Sequence, residues 1–238
     1  MLKIIPAAER YHASHGWLNS YFLFSFAEYY DQNNVQLGPL RVFNDDYIQG
    51  NNGFPEHPHS EMEVVTIVLE GEITHTDSLG NHTTIHAGEV QRMTAGTGIR
   101  HSEQNETDKE VHLYQLWFFP NKKELSPSYE QKKIDFLKEK NELIPLVTGQ
   151  KVLEDVVYIN SNSTIYHANL EEGKGIDFNT FPIRKALLYV TSGELFVNGM
   201  QVHKNDQVRS SDIDALRIKA SVDSSFILID VPGVEANY

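Results

Sequence analysis

Two short segments with one shared spacing constrain this chain more than anything else in it. The first, Gly53-Phe-Pro-Glu-His57-Pro-His59, sets two histidines two residues apart. The second, Gly96-Thr-Gly98-Ile-Arg-His101-Ser-Glu103-Gln-Asn105, does the same with a histidine and a glutamate. On an extended strand alternate side chains share a face, so each pair presents two donor atoms in one direction. If the two segments occupy neighbouring strands of a barrel with those faces inward, three imidazoles and a carboxylate converge. Three nitrogens and one oxygen suit a divalent transition metal with coordination positions left open. A lone histidine is more often structural or merely exposed, but two pairs of equal spacing beside glycine-rich turns make a metal site the stronger reading.

Nine of the eleven histidines lie at or before His112, leaving only His167 and His203 beyond. A histidine-built site therefore belongs to the first half. His75, His82 and His86 sit near turns and read as exposed or structural. The chain has no cysteine, which excludes disulfides, thiolate metal sites and a cysteine nucleophile, and is compatible with a reducing cytoplasm, the expected location. Its N-terminus becomes charged too early for a signal peptide, and no apolar run approaches the roughly 18 residues of a membrane span. A net charge of −13 argues against nonspecific nucleic-acid binding. The lysines at 122, 123, 132, 133, 138 and 140 alternate with Glu124, Glu130 and Glu139, as on a solvated segment.

The hydrophobic pattern is that of an all-β protein. Strands are expected at Ser20 to Ala27 (with Phe22, Phe24 and Phe26 on one core-facing side), Leu40 to Asn44, Glu61 to Leu69, Glu72 to Thr76, His82 to His86 and Val111 to Phe119. Short strands at regular spacing with glycine turns between them indicate a sandwich or small barrel. In Val111 to Phe119, Leu113, Gln115 and Trp117 share one parity and His112, Tyr114 and Leu116 the other, and the pattern leaves open which faces a site. Residues 1–20 read as an irregular lead-in and 121–142 as a polar connector, with Ser126-Pro127 able to start a helical turn. Strands return from Leu143, and Asn198-Gly199 is a strong type I′ hairpin signal.

Several of these residues also resemble a known family. His57-Pro-His59-x3-Glu63, Gly88-x5-Thr94-x-Gly96 and His101-x3-Asn105 follow the two cupin motifs. Thr94 in place of proline and the longer Gly96–His101 spacing are departures that the pirin family shares. So are His15-Gly-Trp-Leu18, Leu40-Arg-Val42, Asp77-Ser-Leu-Gly-Asn81 and, most specifically, Thr94-Ala-Gly-Thr-Gly-Ile99 before His101-Ser-Glu103. The chain is most similar to short bacterial pirin-like quercetin 2,3-dioxygenases, densely in its first half and more thinly in its second.

The resemblance implies a bicupin: a metal-binding cupin domain over residues 1–120, the connector at 121–142, and a degenerate cupin without metal over 143–238. It implies His57, His59, His101 and Glu103 as ligands, with Glu103 also able to serve as general base and Glu63 near the cavity wall; Glu63 as the carboxylate ligand is the minority alternative. Octahedral nitrogen and oxygen ligation fits Fe, Mn, Ni or Co, affinity alone favours Cu, Zn is also admitted, and the resemblance favours Fe(II). The implied activity is O₂-dependent opening of a flavonol-like substrate to a depside and carbon monoxide. The alternative is a non-catalytic, redox-sensing regulatory protein with a protein partner. A phosphosugar isomerase, with Arg92 and Arg100 supplying the cations, ranks third. Two cupin halves can cover each other's sheets, so a monomer is expected.

Overall fold

β-Branched and aromatic runs between tight turns pair antiparallel almost throughout, because each run is long enough for one strand and each turn short enough for a hairpin. The computed structural model describes residues 1–233. The last five residues expected in the second domain lie outside that range. The first strands are β1 (Leu2–Ile5), β2 (Tyr11–Ser14), β3 (Leu18–Phe22), β4 (Leu40–Ile48), β5 (Asn52–His59) and β6 (Glu63–Glu70). They are followed by β7 (Glu72–Asp77), β8 (His82–His86), β9 (Glu89–Thr94), β10 (Ile99–Asn105), β11 (Val111–Phe118) and β12 (Ser128–Lys133). The second half holds β13 (Ile144–Thr148), β14 (Val157–Tyr158), β15 (Thr164–Leu170), β16 (Gly175–Asn179) and β17 (Arg184–Ser192). It ends with β18 (Glu194–Val197), β19 (Met200–His203), β20 (Gln207–Ser211), β21 (Ala215–Ala220) and β22 (Ser224–Pro232). A single 3-10 turn, Ala7–Glu9, is the one helical element among the described residues.

Each half pairs a seven-stranded with a four-stranded sheet. In the first half the orders are β12-β9-β6-β11-β4-β3-β2 and β5-β10-β7-β8. In the second they are β1-β20-β17-β22-β15-β13-β14 and β16-β21-β18-β19. The all-β bicupin expected from the sequence is therefore what forms. The two large sheets face each other across a shared core that includes Phe43, Val65, Ile67, Tyr114, Leu116 and Phe118 from one half and Leu187, Tyr189, Ile227 and Ile229 from the other. Within this apolar layer the Asp45 carboxylate accepts hydrogen bonds from Arg10 (3.3 Å) and the Tyr189 hydroxyl (2.7 Å), with the His112 ring nitrogen 2.7 Å away. That pairing is what makes a buried acid tolerable there.

Several local expectations are corrected. The lead-in is not irregular: β1 crosses to the second half and pairs with β20, while β2 and β3 form a hairpin. Strand β3 ends at Phe22, so Phe24 turns into the core between the halves, beneath the Arg209 guanidinium. The segment read as connector contributes β12, an edge strand paired with β9, and no helical turn forms at Ser126-Pro127. Strand β4 continues through Asp45 and Asp46 to Ile48. The Asn198-Gly199 turn is as expected, both residues having positive φ.

Candidate metal centre and its cavity

Strands β5, β10 and β7 are neighbours, and their register brings the histidines together. His101 lies opposite His57 and Ile99 opposite His59, with a bulge between His101 and Glu103. On the other side of β10, His101 lies opposite Asp77 and Glu103 opposite His75. The i,i+2 spacing puts all these side chains on the inner face of the sheet. Gly53 permits the close approach of β5: a Cβ there would come within 2.2 Å of the Glu103 carbonyl oxygen. Gly96 does the same for the preceding loop, at φ +46° and against the carbonyl of Leu125.

One ring nitrogen each from His57, His59 and His101 lies within 4.8 Å of the others. The Nε2 atoms of His57 and His101 face each other at 3.1 Å. His57 Nδ1 is 2.8 Å from the Pro55 carbonyl oxygen, which can only accept, so Nδ1 is the donor and Nε2 is the nitrogen left for a metal. Burial, then the neighbouring imidazoles, pulls the pKa of His59 down to about 4 and that of His101 to about 3. Both rings are therefore neutral near pH 7, the form that binds a metal. Two nitrogens about 2.1 Å from an ion and at right angles to each other stand about 3.0 Å apart. The spacing and chemistry of this donor set fit such an ion.

Glu103 is buried and tightly held. Its Oε1 accepts from Thr66 Oγ1 (3.2 Å) and Gln91 Nε2 (2.9 Å), and its Oε2 from Gln115 Nε2 (2.6 Å). It falls in an overlapping set with His75 and His101. The structure thus brings His57, His59 and His101 together and sets Glu103, anchored by three donors, with His101 in the second, overlapping set.

Against this floor opens a cavity of about 310 Å³, at the lower end of small-molecule sites. Trp17, Phe22, Phe26, Phe54 and Trp117 form apolar walls, and Ser20, Asn44, Asp46, Gln115, His57 and Glu103 supply polar atoms. Phe22 and Phe26, expected only as core, line this space. Strand β11 is now resolved by parity: Gln115 and Trp117 face the cavity, and Tyr114 and Leu116 face the other half. Asp46 is hydrogen-bonded by the Ser20 hydroxyl, and burial pushes its carboxyl up to about 7. The buried Asn44 Oδ1 has no hydrogen-bond partner.

Other sequence candidates fall elsewhere. Glu63 does not line this cavity; its carboxylate accepts from Thr94 Oγ1 (3.1 Å) and the Asn160 backbone N–H (3.0 Å), tying the two halves together. Arg92 is locked to the Tyr158 carbonyl, Thr94, Ser128 and Glu130, and Arg100 is exposed and paired with Glu56. The isomerase reading loses its cations. His82 and His86 are exposed, but His75 is fully buried and directly beneath His101. The sequence reading of His75 as exposed or structural holds in its second sense, but did not single out His75-Thr-Asp77, which repeats the spacing of the other two pairs.

Comparisons with known proteins identify the family. Residues 6–118 match the family model described as pirin, and residues 146–231 match the quercetinase C-terminal cupin domain. The chain is 39% identical over 235 residues to quercetin 2,3-dioxygenase of Escherichia coli K12, covering 98% of this chain and 100% of that protein. It is 37% identical over 218 residues to a pirin-like protein of Caulobacter vibrioides, covering 92% and 94%. The crystal structure of YhhW from Escherichia coli superposes with a TM-score of 0.93 at 36% identity over the whole of both chains. A second, of the bacterial pirin YhhW in complex with nickel(II), gives 0.92 at 36% identity, covering 98% and 100%. By its sequence identity over the full length of these relatives, this chain belongs to the pirin family.

Proposed function

We propose that the chain is a metal-dependent dioxygenase of the quercetin 2,3-dioxygenase type, acting on a small flavonol-like aromatic with O₂. The observation that carries this is the joining of an aromatic-walled cavity to a three-histidine cluster in which His57 Nε2 and His101 Nε2 face each other. His57, His59 and His101 are the nitrogen ligands and Glu103 the carboxylate; Fe(II) is the metal we assign. The relatives' printed names and the nickel(II) complex of a 36% identical pirin support a divalent ion and this substrate class. A metal held there supplies a Lewis-acid and redox centre that acidifies a coordinated hydroxyl and couples an electron-rich ring to O₂.

The remaining work belongs to the chain's own groups. Trp17, Phe54 and Trp117 clamp a planar ring edge and face and exclude water. Asn44 Oδ1, buried without a partner, accepts a hydrogen bond from a ring hydroxyl. Glu103, fixed by Gln91, Thr66 and Gln115, accepts the proton of the hydroxyl that reacts. Protein purified anaerobically and loaded with iron should consume O₂ with quercetin in proportion to its iron content, and His101→Ala should abolish both. Glu103→Gln should retain part of the iron and lose turnover; unchanged turnover would remove Glu103 from the reaction. Stoichiometric iron without flavonol-dependent uptake would overturn the dioxygenase reading.

A further inference from the structure

Beneath the histidine cluster lies a third i,i+2 pair, His75 and Asp77 on β7, whose side chains are both fully buried. Their hydrogen bonds fix where the ring protons sit. Asp77 Oδ1 accepts the backbone N–H groups of Leu79 (2.9 Å) and Asn81 (3.1 Å), and Oδ2 accepts the Asn81 side-chain N–H (2.8 Å). The carboxylate is thereby locked as an acceptor, and His75 Nε2, 3.1 Å from Oδ2, must donate to it. In the neutral tautomer that this bond selects, His75 Nδ1 is bare. It faces His101 Nδ1 at 3.4 Å, so the proton between them belongs to His101 Nδ1. That leaves His101 Nε2 with a lone pair, aimed at His57 Nε2 3.1 Å away. The Tyr129 ring, stacked on His75 at 4.8 Å, holds the imidazole in plane.

We propose that His75 and Asp77 are positioning residues that fix the tautomer and orientation of His101, so that its Nε2 faces the metal position. The inference rests on the metal reading above. The Asp77–His75–His101 line supplies for this ligand what the Pro55 carbonyl supplies for His57. An acceptor behind a metal-binding imidazole sets its tautomer and raises its basicity. His75, His101 and Glu103 form an alternative donor set. His101 Nδ1 is taken up by His75 Nδ1 while its Nε2 faces His57 Nε2, so we place His75 behind the ligand rather than on the ion.

The test uses ring ¹⁵N NMR of the full chain, metal-free and zinc-loaded, with zinc affinities measured by chelator competition. In the metal-free protein His101 should be protonated at Nδ1 and His75 at Nε2, and zinc should perturb His101 Nε2 alone of these four nitrogens. His75→Leu should weaken zinc binding about 10- to 100-fold. His75→Gln should recover part of that loss, because its amide oxygen can accept from His101 Nδ1, a rescue that a purely space-filling role would not give. His101 protonated at Nε2, zinc on His101 Nδ1, or a His75→Leu affinity within about twofold of the parent would each overturn the proposal. Should His75→Leu fail to fold, the tautomers of the unaltered protein decide. Loss of zinc in His101→Ala alongside full binding in His75→Leu would refute the relay only. Full binding in His101→Ala would refute the metal reading itself.

Discussion

In the second barrel the space between the sheets is closed by Leu188, Val190, Leu195, Val197, Leu216 and Phe226, all fully buried. In the first, the corresponding space is shared between a smaller apolar cluster around Val68, Ile73 and Leu113 and the polar group of His57, His59, His101, Glu103 and Asp46. The plan of paired seven- and four-stranded sheets is the same in both. What differs is only the identity of the inward-facing alternate residues, so a cupin scaffold neither supplies a site nor forbids one. The histidines of the second half illustrate this. His203 is exposed beside Glu194, and His167 is packed against the Phe136 ring, where burial lowers its pKa to about 4. Neither belongs to a candidate metal set among the described residues. We propose that the second barrel serves stability and that metal chemistry is confined to the first.

The sharpest way to break this contrast is to remove one ligand. His101→Ala should lower metal affinity by well over about 100-fold, roughly 3 kcal/mol or more, with oxygen uptake lost and the fold retained. Elemental analysis beside a melting curve checks it, and full metal content would refute the assignment. Leu188→Ala in the second barrel should do the reverse: about 2–5 kcal/mol of stability lost in denaturant titration, with metal stoichiometry unchanged.

Acid and base should next act in opposite directions within the first barrel. In the metal-free protein His59 and His101 have folded pKa values below the ordinary 6.5. The unfolded chain takes up those protons first, so their contribution is present above pH 6.5 and is lost as pH falls toward 3 to 4. Asp46 runs the opposite way. Its pKa is raised from 3.8 to about 7, so its contribution is full below 3.8 and is lost as pH rises through 7. Asp46→Asn should therefore stabilise the metal-free protein by about 2–4 kcal/mol at pH 8 and by little at pH 4. An equal gain at both values would show that Asp46 is not a strained carboxyl. The smallest effect is expected at the rim: Arg100→Ala breaks an exposed pair with Glu56 and should cost less than about 0.5 kcal/mol, with flavonol-dependent uptake unchanged.

The parts of this site that were legible in the sequence are those where local spacing carries the chemistry. His57-x-His59 and His101-x-Glu103 are i,i+2 pairs flanked by glycines whose close approach the fold requires, and β5 and β10 do pair as antiparallel neighbours in one sheet. His75-x-Asp77 has the same spacing, but beside the Asp77–Asn81 turn the sequence does not separate an exposed histidine from a structural one. Only the pairing of β7 with β10 buries it. Edge strand β12 was unread for the opposite reason: Ser128–Lys133 carries the lysines and glutamate that protect an edge, and these look like a linker. The crossing of β1 to β20 joins residues about two hundred positions apart and leaves no local signal. Asp45 and Asp46 look like a turn; they remain in strand β4 because one finds Arg10 and, across the interface, Tyr189, and the other finds Ser20 within the barrel.

The most direct test of the central claim is an anomalous-difference map from crystals of the protein loaded with one equivalent of a divalent transition metal. The account predicts a single strong peak in the first barrel, bound by His57 Nε2, His59 and His101 Nε2 beside Glu103, and none between the sheets of the second. A peak held by His75 and His101 Nδ1, or one in the second barrel, would contradict it.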